Sequence, residues 1–155
     1  MDIKMTWMGK MSFEGIGDSE FVQKIDADVS VGGENSGPRP MELIAMGLAG
    51  CTGMDVISIL QKKKQPVKDF QVNFHAERAT EHPKVFTRAV IEYQVAGRDV
   101  DEAALLRAIE LSAEKYCPAQ AMLGKAFPMQ LIYKILDEDT GQVFKEGKYK
   151  QKETG

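Results

Sequence analysis

One segment constrains the fold of this chain more than any other: residues 40–64, PMELIAMGLAGCTGMDVISILQKKK. Pro40 suits the first turn of a helix and Pro66 blocks its continuation, so the segment reads as one long helix. Leu43, Met46, Gly47, Gly50, Met54, Ile57 and Leu60 fall close to one helical stripe, and Asp55 is the only charge between Glu42 and Lys62. A helix that is apolar nearly all round is expected to be buried nearly all round. Gly47, Gly50 and Gly53 each cost about 0.8–1.0 kcal/mol against alanine in a helix interior, so another backbone should approach them closely. The chain therefore has to organise itself around this helix.

Strands are expected on both sides of it. Ile3, Met5 and Trp7 alternate with polar residues, and Phe21, Ile25, Ala27 and Val29 keep a period of two, so residues 3–31 read as two or three strands with a turn at Gly15 and Gly17. GGENSGPRP is a loop. After the helix, Phe70, Val72, Phe74 and Ala76 define one strand, and Val85, Ala89, Ile91, Tyr93 and Val95 a second, joined through TEHP. Asp99 or Asp101 caps a second helix striped by Leu105, Ile109, Ala113 and Tyr116. Cys117-Pro118 interrupts it, because the residue before proline is steered out of the helical region. A short helix from Pro118, a strand over Met129–Leu136, a turn at DEDTG, a last short strand through Val143 and Phe144 and a charged tail from Lys148 complete an α+β chain, expected as a single domain over residues 1–155.

Charge and hydropathy exclude several classes of function. The net charge is −3, and a phosphate-binding surface wants a basic face, so nucleic acid is not an expected partner. Lys62, Lys63 and Lys64 sit where they offset a helix dipole. No run of ~18 consecutive apolar residues marks a membrane span, and the N-terminal stretch is too polar for a signal peptide, so no membrane partner is expected. The expected compartment is the cytoplasm, where thiols are normally reduced.

Two cysteines in that setting invite a chemical reading. Cys51 lies in the middle of the apolar helix, where a free cysteine can equally be a small buried hydrophobe. Cys117 would be the N-cap of the short helix opened by Pro118, where unpaired N–H groups favour a thiolate. They stand 66 positions apart, which fits neither a CxxC redox motif nor zinc-ligand spacing. His75, in an alternating strand, and His82, in a turn, read as surface residues, and no metal site is expected. Nothing around either thiol suggests a cysteine protease.

PMELIAMGLAGCTGMDVISIL, followed much later by LSAEKYCPAQAML, resembles the OsmC/Ohr family and is most similar to its YhfA-like branch. The order of elements matches over nearly all of residues 1–145. The resemblance implies an OsmC-like fold, with antiparallel sheets around a long buried central helix, in an intertwined homodimer whose two long helices pack at the centre. It also implies reduction of organic hydroperoxides, with Cys51 as the peroxidatic thiol, Cys117 as the resolving thiol, no bound cofactor and an external thiol or dithiol as reductant. In the family a glutamate and an arginine flank the peroxidatic cysteine. Met41 holds the glutamate's position here, and Glu42 is displaced by one, which on a regular helix turns it roughly opposite Cys51. The arginine comes from the N-terminal strands in that family, whereas the first arginine of this chain is Arg39, with Lys10 and Lys24 as other sources of positive charge.

Asp55, one turn after Cys51 on the same face, is either half of a structural ion pair or a member of the site. The rival function is a non-catalytic dimer that senses redox state or holds a small apolar ligand, suggested by Met41, Met46 and Met54 near the site. A dimer with inert thiols is the weakest reading.

Overall fold

The computed structural model describes residues 1–150, which fall into two compact units divided between Met46 and Gly47, so that the long helix begins in one and continues into the other. In the first unit, β1 (Ile3–Gly9), β2 (Ser12–Gly17) and β3 (Val22–Ile25) form an antiparallel sheet in the order β1-β2-β3. Gly15 and Gly17, expected to turn the chain, lie within β2, paired with Met5 and Ile3 of β1. The chain turns instead beyond each end of β2, where Lys10 and Glu20 take positive φ. Ala27 and Val29 leave the sheet, and residues Val29–Val31 form a single 3-10 turn.

The loop after β3 is held by one buried carboxylate. Asp26 accepts hydrogen bonds from Ala27 N (2.8 Å), Glu34 N (3.0 Å), Ser36 N (3.0 Å) and Ser36 Oγ (2.7 Å). The Ser36 hydroxyl above all, together with these backbone donors, holds the carboxyl far below the usual carboxylate range. Its stabilising effect is therefore full above the ordinary value near 3.8 and is lost as pH falls toward the lowered folded value. Asp26→Asn is expected to lower the urea midpoint at pH 7, with the gap to the parent protein closing below about pH 4. A gap that stays constant from pH 7 to pH 2 would contradict this.

α1 (Pro40–Lys62) is the expected long helix, two residues shorter than read from the sequence. Its burial is a correction. Only Leu48, Thr52, Gly53, Val56 and Leu60 are buried, one stripe at i, i+4 spacing. Met46 and Met54 are exposed, and the ideal Cβ positions of Gly47 and Gly50 meet open space. Of the expected stripe only Leu60 is buried, because a helix with apolar residues on every side carries no periodic signal to choose a face. Gly53 alone of the three has a close neighbour, and it is a side chain rather than the expected backbone: its Cβ position lies 3.2 Å from Val72 Cγ2. By length and composition α1 could also cross a membrane.

The second unit holds a sheet in the order β4-β5-β6-β7, comprising Asp69–Arg78, Phe86–Ala96, Met129–Leu136 and Val143–Tyr149. β4–β5 and β6–β7 are antiparallel, as expected of the sheets, but β5 and β6 run parallel, an exception to that expectation. A parallel pair needs a crossover, and α2 (Glu102–Leu111) with α3 (Pro118–Leu123) supplies it. Alternation sends Ala89, Ile91, Tyr93 and Val95 of β5, and Leu131, Tyr133 and Ile135 of β6, into one core with Leu48, Val56 and Leu60 of α1 and Leu105, Ala108 and Ile109 of α2. Val85 stays outside its strand, exposed. Asp101 is the α2 cap, its Oδ1 accepting from Ala103 N at 3.0 Å. β7 continues to Tyr149, so Lys148 belongs to a strand rather than to a tail, while residues 151–155 of that tail lie outside the described residues.

Candidate functional site

The two cysteines come together in the second unit. Cys51 projects from the middle of α1 and is half-buried; Cys117 is buried at the start of α3, and both are free thiols. The expected cap is present: Cys117 has an extended backbone, Pro118 opens the helix, and Gln120 N–H donates to Cys117 Sγ at 3.4 Å. The approach to this cap departs from a plain helix. After Leu111 the chain widens into a π turn over Ser112–Tyr116, closed by Cys117 N–H donating to Ser112 O at 3.0 Å. Such single π turns recur at functional sites because they re-aim the residues that follow.

Cys51 and Cys117 lie near one another, close enough for the Cys51 thiol to bear on the Cys117 thiol. Burial first, and then the neighbouring Cys51 thiol, push the Cys117 thiol well above its ordinary value, against the opposing pull of Gln120 N–H. The thiolate-favouring effect expected of the N-cap is thus present but outweighed. Cys117 stays protonated at neutral pH, and Cys51 is the more accessible sulfur.

Beside the pair runs a chain of buried hydroxyls. Tyr93 Oη on β5 lies 2.6 Å from Thr52 Oγ1, Thr52 Oγ1 lies 2.9 Å from Ser112 Oγ, and Ser112 Oγ donates to Asp55 Oδ2 at 3.0 Å. Tyr93, Thr52 and Ser112 are fully buried. Burial holds the Tyr93 hydroxyl far above its usual value, with the Thr52 hydrogen bond opposing and the Cys117 and Asp55 charges adding to it. Asp55 therefore meets a serine hydroxyl where a lysine or arginine was one expectation. It also faces a groove of about 520 Å³ lined by Ser58, Ile59, Lys62, Leu111 and Tyr116.

The other expected site residues lie in the first unit with partners of their own. The Arg39 guanidinium binds Gly37 O at 3.0 Å, Asp28 Oδ2 at 3.4 Å and the Asn35 side-chain oxygen. Glu42 Oε2 accepts from Arg39 N at 2.8 Å, the returning half of a capping box at the start of α1. Lys10 pairs with Glu34 at 2.5 Å. His75 and His82 are exposed, and no group of three His, Cys, Asp or Glu able to hold a metal occurs among the described residues.

Sequence reasoning passed over Thr52, Tyr93, Ser112 and Gln120. Two signals were available: Thr52 is a polar residue inside an apolar stretch, and Tyr93 is a hydroxyl-bearing residue on the inward face of a strand. Gln120 is buried, and neither polar atom of its carboxamide has a partner among the described residues. An unmet buried amide costs about 1–3 kcal/mol. Gln120→Met is expected to raise stability by about 1 kcal/mol in urea unfolding; a loss of that size would mean that the carboxamide is satisfied.

Comparison with known proteins shows similarity in sequence and fold. The OsmC-like protein family model covers residues 33–132. The chain is 38% identical to Protein YhfA of Escherichia coli (strain K12) over 136 residues, 88% of this chain and 98% of that protein. A hypothetical protein from Aquifex aeolicus VF5 superposes with a TM-score of 0.77 at 30% identity, covering 89% of this chain and 97% of the other. The organic hydroperoxide resistance protein OhrB of Bacillus subtilis shares the fold at a TM-score of 0.58 and 17% identity, over 86% of this chain and 98% of its own.

Proposed function

We propose, because this chain belongs to the OsmC-like protein family, that it is a thiol-dependent peroxidase that reduces organic hydroperoxides through Cys51 and Cys117. The observation that carries the reading is the adjacency of the two thiols, one half-exposed and one buried. Cys51 attacks as thiolate on the outer peroxide oxygen. The O–O bond breaks, the alcohol leaves after taking a proton, and Cys51 becomes a sulfenic acid. Cys117 sulfur then attacks Cys51 sulfur, the S–O bond breaks, and the hydroxyl departs as water once protonated. An external dithiol reduces the resulting disulfide by exchange.

The assignment of roles follows from thiolate supply. A buried thiol pushed up in pKa is a poor first nucleophile, whereas it can close on a sulfenic acid held beside it. The reading includes a homodimer acting in the cytoplasm without a bound cofactor. The vacant face of α1 around Gly47, Gly50 and Met54 supports the dimer, since a second helix can approach closely there. The test supplies cumene hydroperoxide and excess dithiol to the purified protein and follows peroxide loss. Turnover with a Cys51–Cys117 disulfide on peptide mapping is expected; absence of both would overturn the proposal.

A second reading, an apolar-ligand or redox-sensing dimer, draws on a cleft of about 450 Å³ in the first unit, lined by Met5, Met11, Phe13, Ile25 and Pro40. A copurifying lipid without peroxide turnover would favour it.

A further inference from the structure

The stripe of α1 that carries Cys51 continues as one wall of a groove. Asp55, Ser58, Ile59 and Lys62 follow Cys51 at helical spacing, and all four line the groove of about 520 Å³. Its other wall is Leu111, the last residue of α2, and Tyr116, the residue before Cys117. Each wall therefore leads to one of the two thiols. Asp55 links them: its Oδ2 accepts from Ser112 Oγ at 3.0 Å, and the Ser112 carbonyl accepts from Cys117 N–H. Its charge also bears on the Cys117 thiol.

Two charges in this groove are unspent. Asp55 is half-buried, accepts that one hydrogen bond and has no ion-pair partner among the described residues. The exposed Lys62 ammonium has neither a hydrogen bond nor an ion pair among them. The two stand on one helix face, about 10 Å apart along its axis. Asp55 is also one turn from Cys51, about 5–6 Å between Cβ atoms. A carboxylate so placed repels an incoming thiolate, and reopening a Cys51–Cys117 disulfide requires one. A thiol with an ammonium on the neighbouring carbon brings the compensating charge with it. A neutral hydroperoxide is not selected in this way.

We propose that this groove docks the external reductant, and that the reductant is a small zwitterionic aminothiol. Its ammonium binds Asp55, its carboxylate binds Lys62, its body lies against Ile59, Leu111 and Tyr116, and its sulfur meets Cys51. The thiolate attacks Cys51 sulfur, the Cys51–Cys117 bond breaks, and its electron pair goes to Cys117 sulfur, which takes a proton from water. A second aminothiol attacks the aminothiol sulfur of the mixed disulfide and displaces Cys51 as thiolate. The products are the protein dithiol and the symmetrical disulfide of the aminothiol, so two aminothiols supply the two electrons. This inference rests on the reading of Cys51 and Cys117 as a redox pair and adds the class of thiol that serves it.

The test uses no peroxide. The protein is oxidised with diamide to the Cys51–Cys117 disulfide, and reopening is followed by alkylation and intact mass. Three thiols are compared per thiolate: cysteinylglycine, its N-acetyl derivative, which lacks the ammonium, and cysteamine, which lacks the carboxylate. Cysteinylglycine is expected to saturate, and to exceed the N-acetyl derivative about tenfold or more in kcat/KM. Asp55→Asn should bring that ratio to within about twofold of unity. Lys62→Gln should raise KM for cysteinylglycine and so lower its advantage over cysteamine. A merely structural role for Asp55, through Ser112, would slow all three thiols alike and leave the ratios unchanged. Equal rates for the dipeptide and its N-acetyl derivative, or ratios that survive Asp55→Asn, would overturn the proposal. If those ratios fail while hydroperoxide is still consumed with a dithiol, the aminothiol site falls and the peroxidase reading stands. If the ratios hold in a protein that consumes no hydroperoxide, the peroxidase reading falls and the site stands.

Discussion

Replacing Cys51 by serine is expected to abolish hydroperoxide consumption, by about 10⁴-fold or more in kcat/KM, the scale on which loss of a reacting nucleophile is felt. A serine hydroxyl cannot supply a comparable anion at neutral pH, and no other accessible thiol exists in the chain to take over. Cys117→Ser should behave differently. Cys51 would still react with peroxide, but the sulfenic acid would persist or oxidise further, because the sulfur that should close on it is gone. Stopped-flow peroxide loss read together with intact mass distinguishes the two: no oxygen added in Cys51→Ser, and a single burst with added oxygen in Cys117→Ser. Equal turnover in the Cys51→Ser variant and the parent protein would remove the basis of the proposed chemistry.

The largest effect on stability is expected from Leu60→Ala. Leu60 is fully buried on the inward stripe of α1, in the same core as Ile91, Tyr93, Leu105 and Ile109. Truncating a buried leucine costs about 2–5 kcal/mol, because the surrounding side chains collapse only partly into the space left. For a chain of this size that corresponds to a fall in Tm of roughly 4–20 °C, read by calorimetry. Met54→Ala supplies the contrast. Met54 is 74% exposed in the single chain, so its truncation should cost less than about 0.5 kcal/mol where the chain is monomeric. A larger cost that grows with protein concentration would mean that a second copy covers this face.

The strands β4, β5 and β6 were legible because each has one face in a core and the other toward solvent, so that burial is written into the sequence as alternation. The ends of α1 were legible from Pro40 and Pro66, and the α2 cap from its aspartates. The first unit was harder to read. Glycines at 15 and 17 carry the statistics of a turn, yet here they pair across strands with Met5 and Ile3, whose side chains occupy the space that a Cβ would need. The parallel pairing of β5 with β6 left no local signature either. It depends on where the helical crossover returns the chain, and that is a matter of packing.

For the site, the sequence by itself determined the chemical inventory: two cysteines, one at mid-helix and one at an N-cap made by the following proline, with Asp55 one turn from the first. Local rules suffice for these, since capping and helical spacing act over a few residues. Only the tertiary structure decided which face of α1 meets the core, because a helix apolar on every side is equally content with several orientations until a sheet packs against it. That choice turns Thr52 inward, where it meets Tyr93, 41 residues on, and Ser112, 60 residues on. It also leaves Cys51 half-exposed beside a buried Cys117. The hydrogen bonds linking these residues are satisfied across elements distant in sequence, and no periodicity or spacing encodes a partner found only when the core closes.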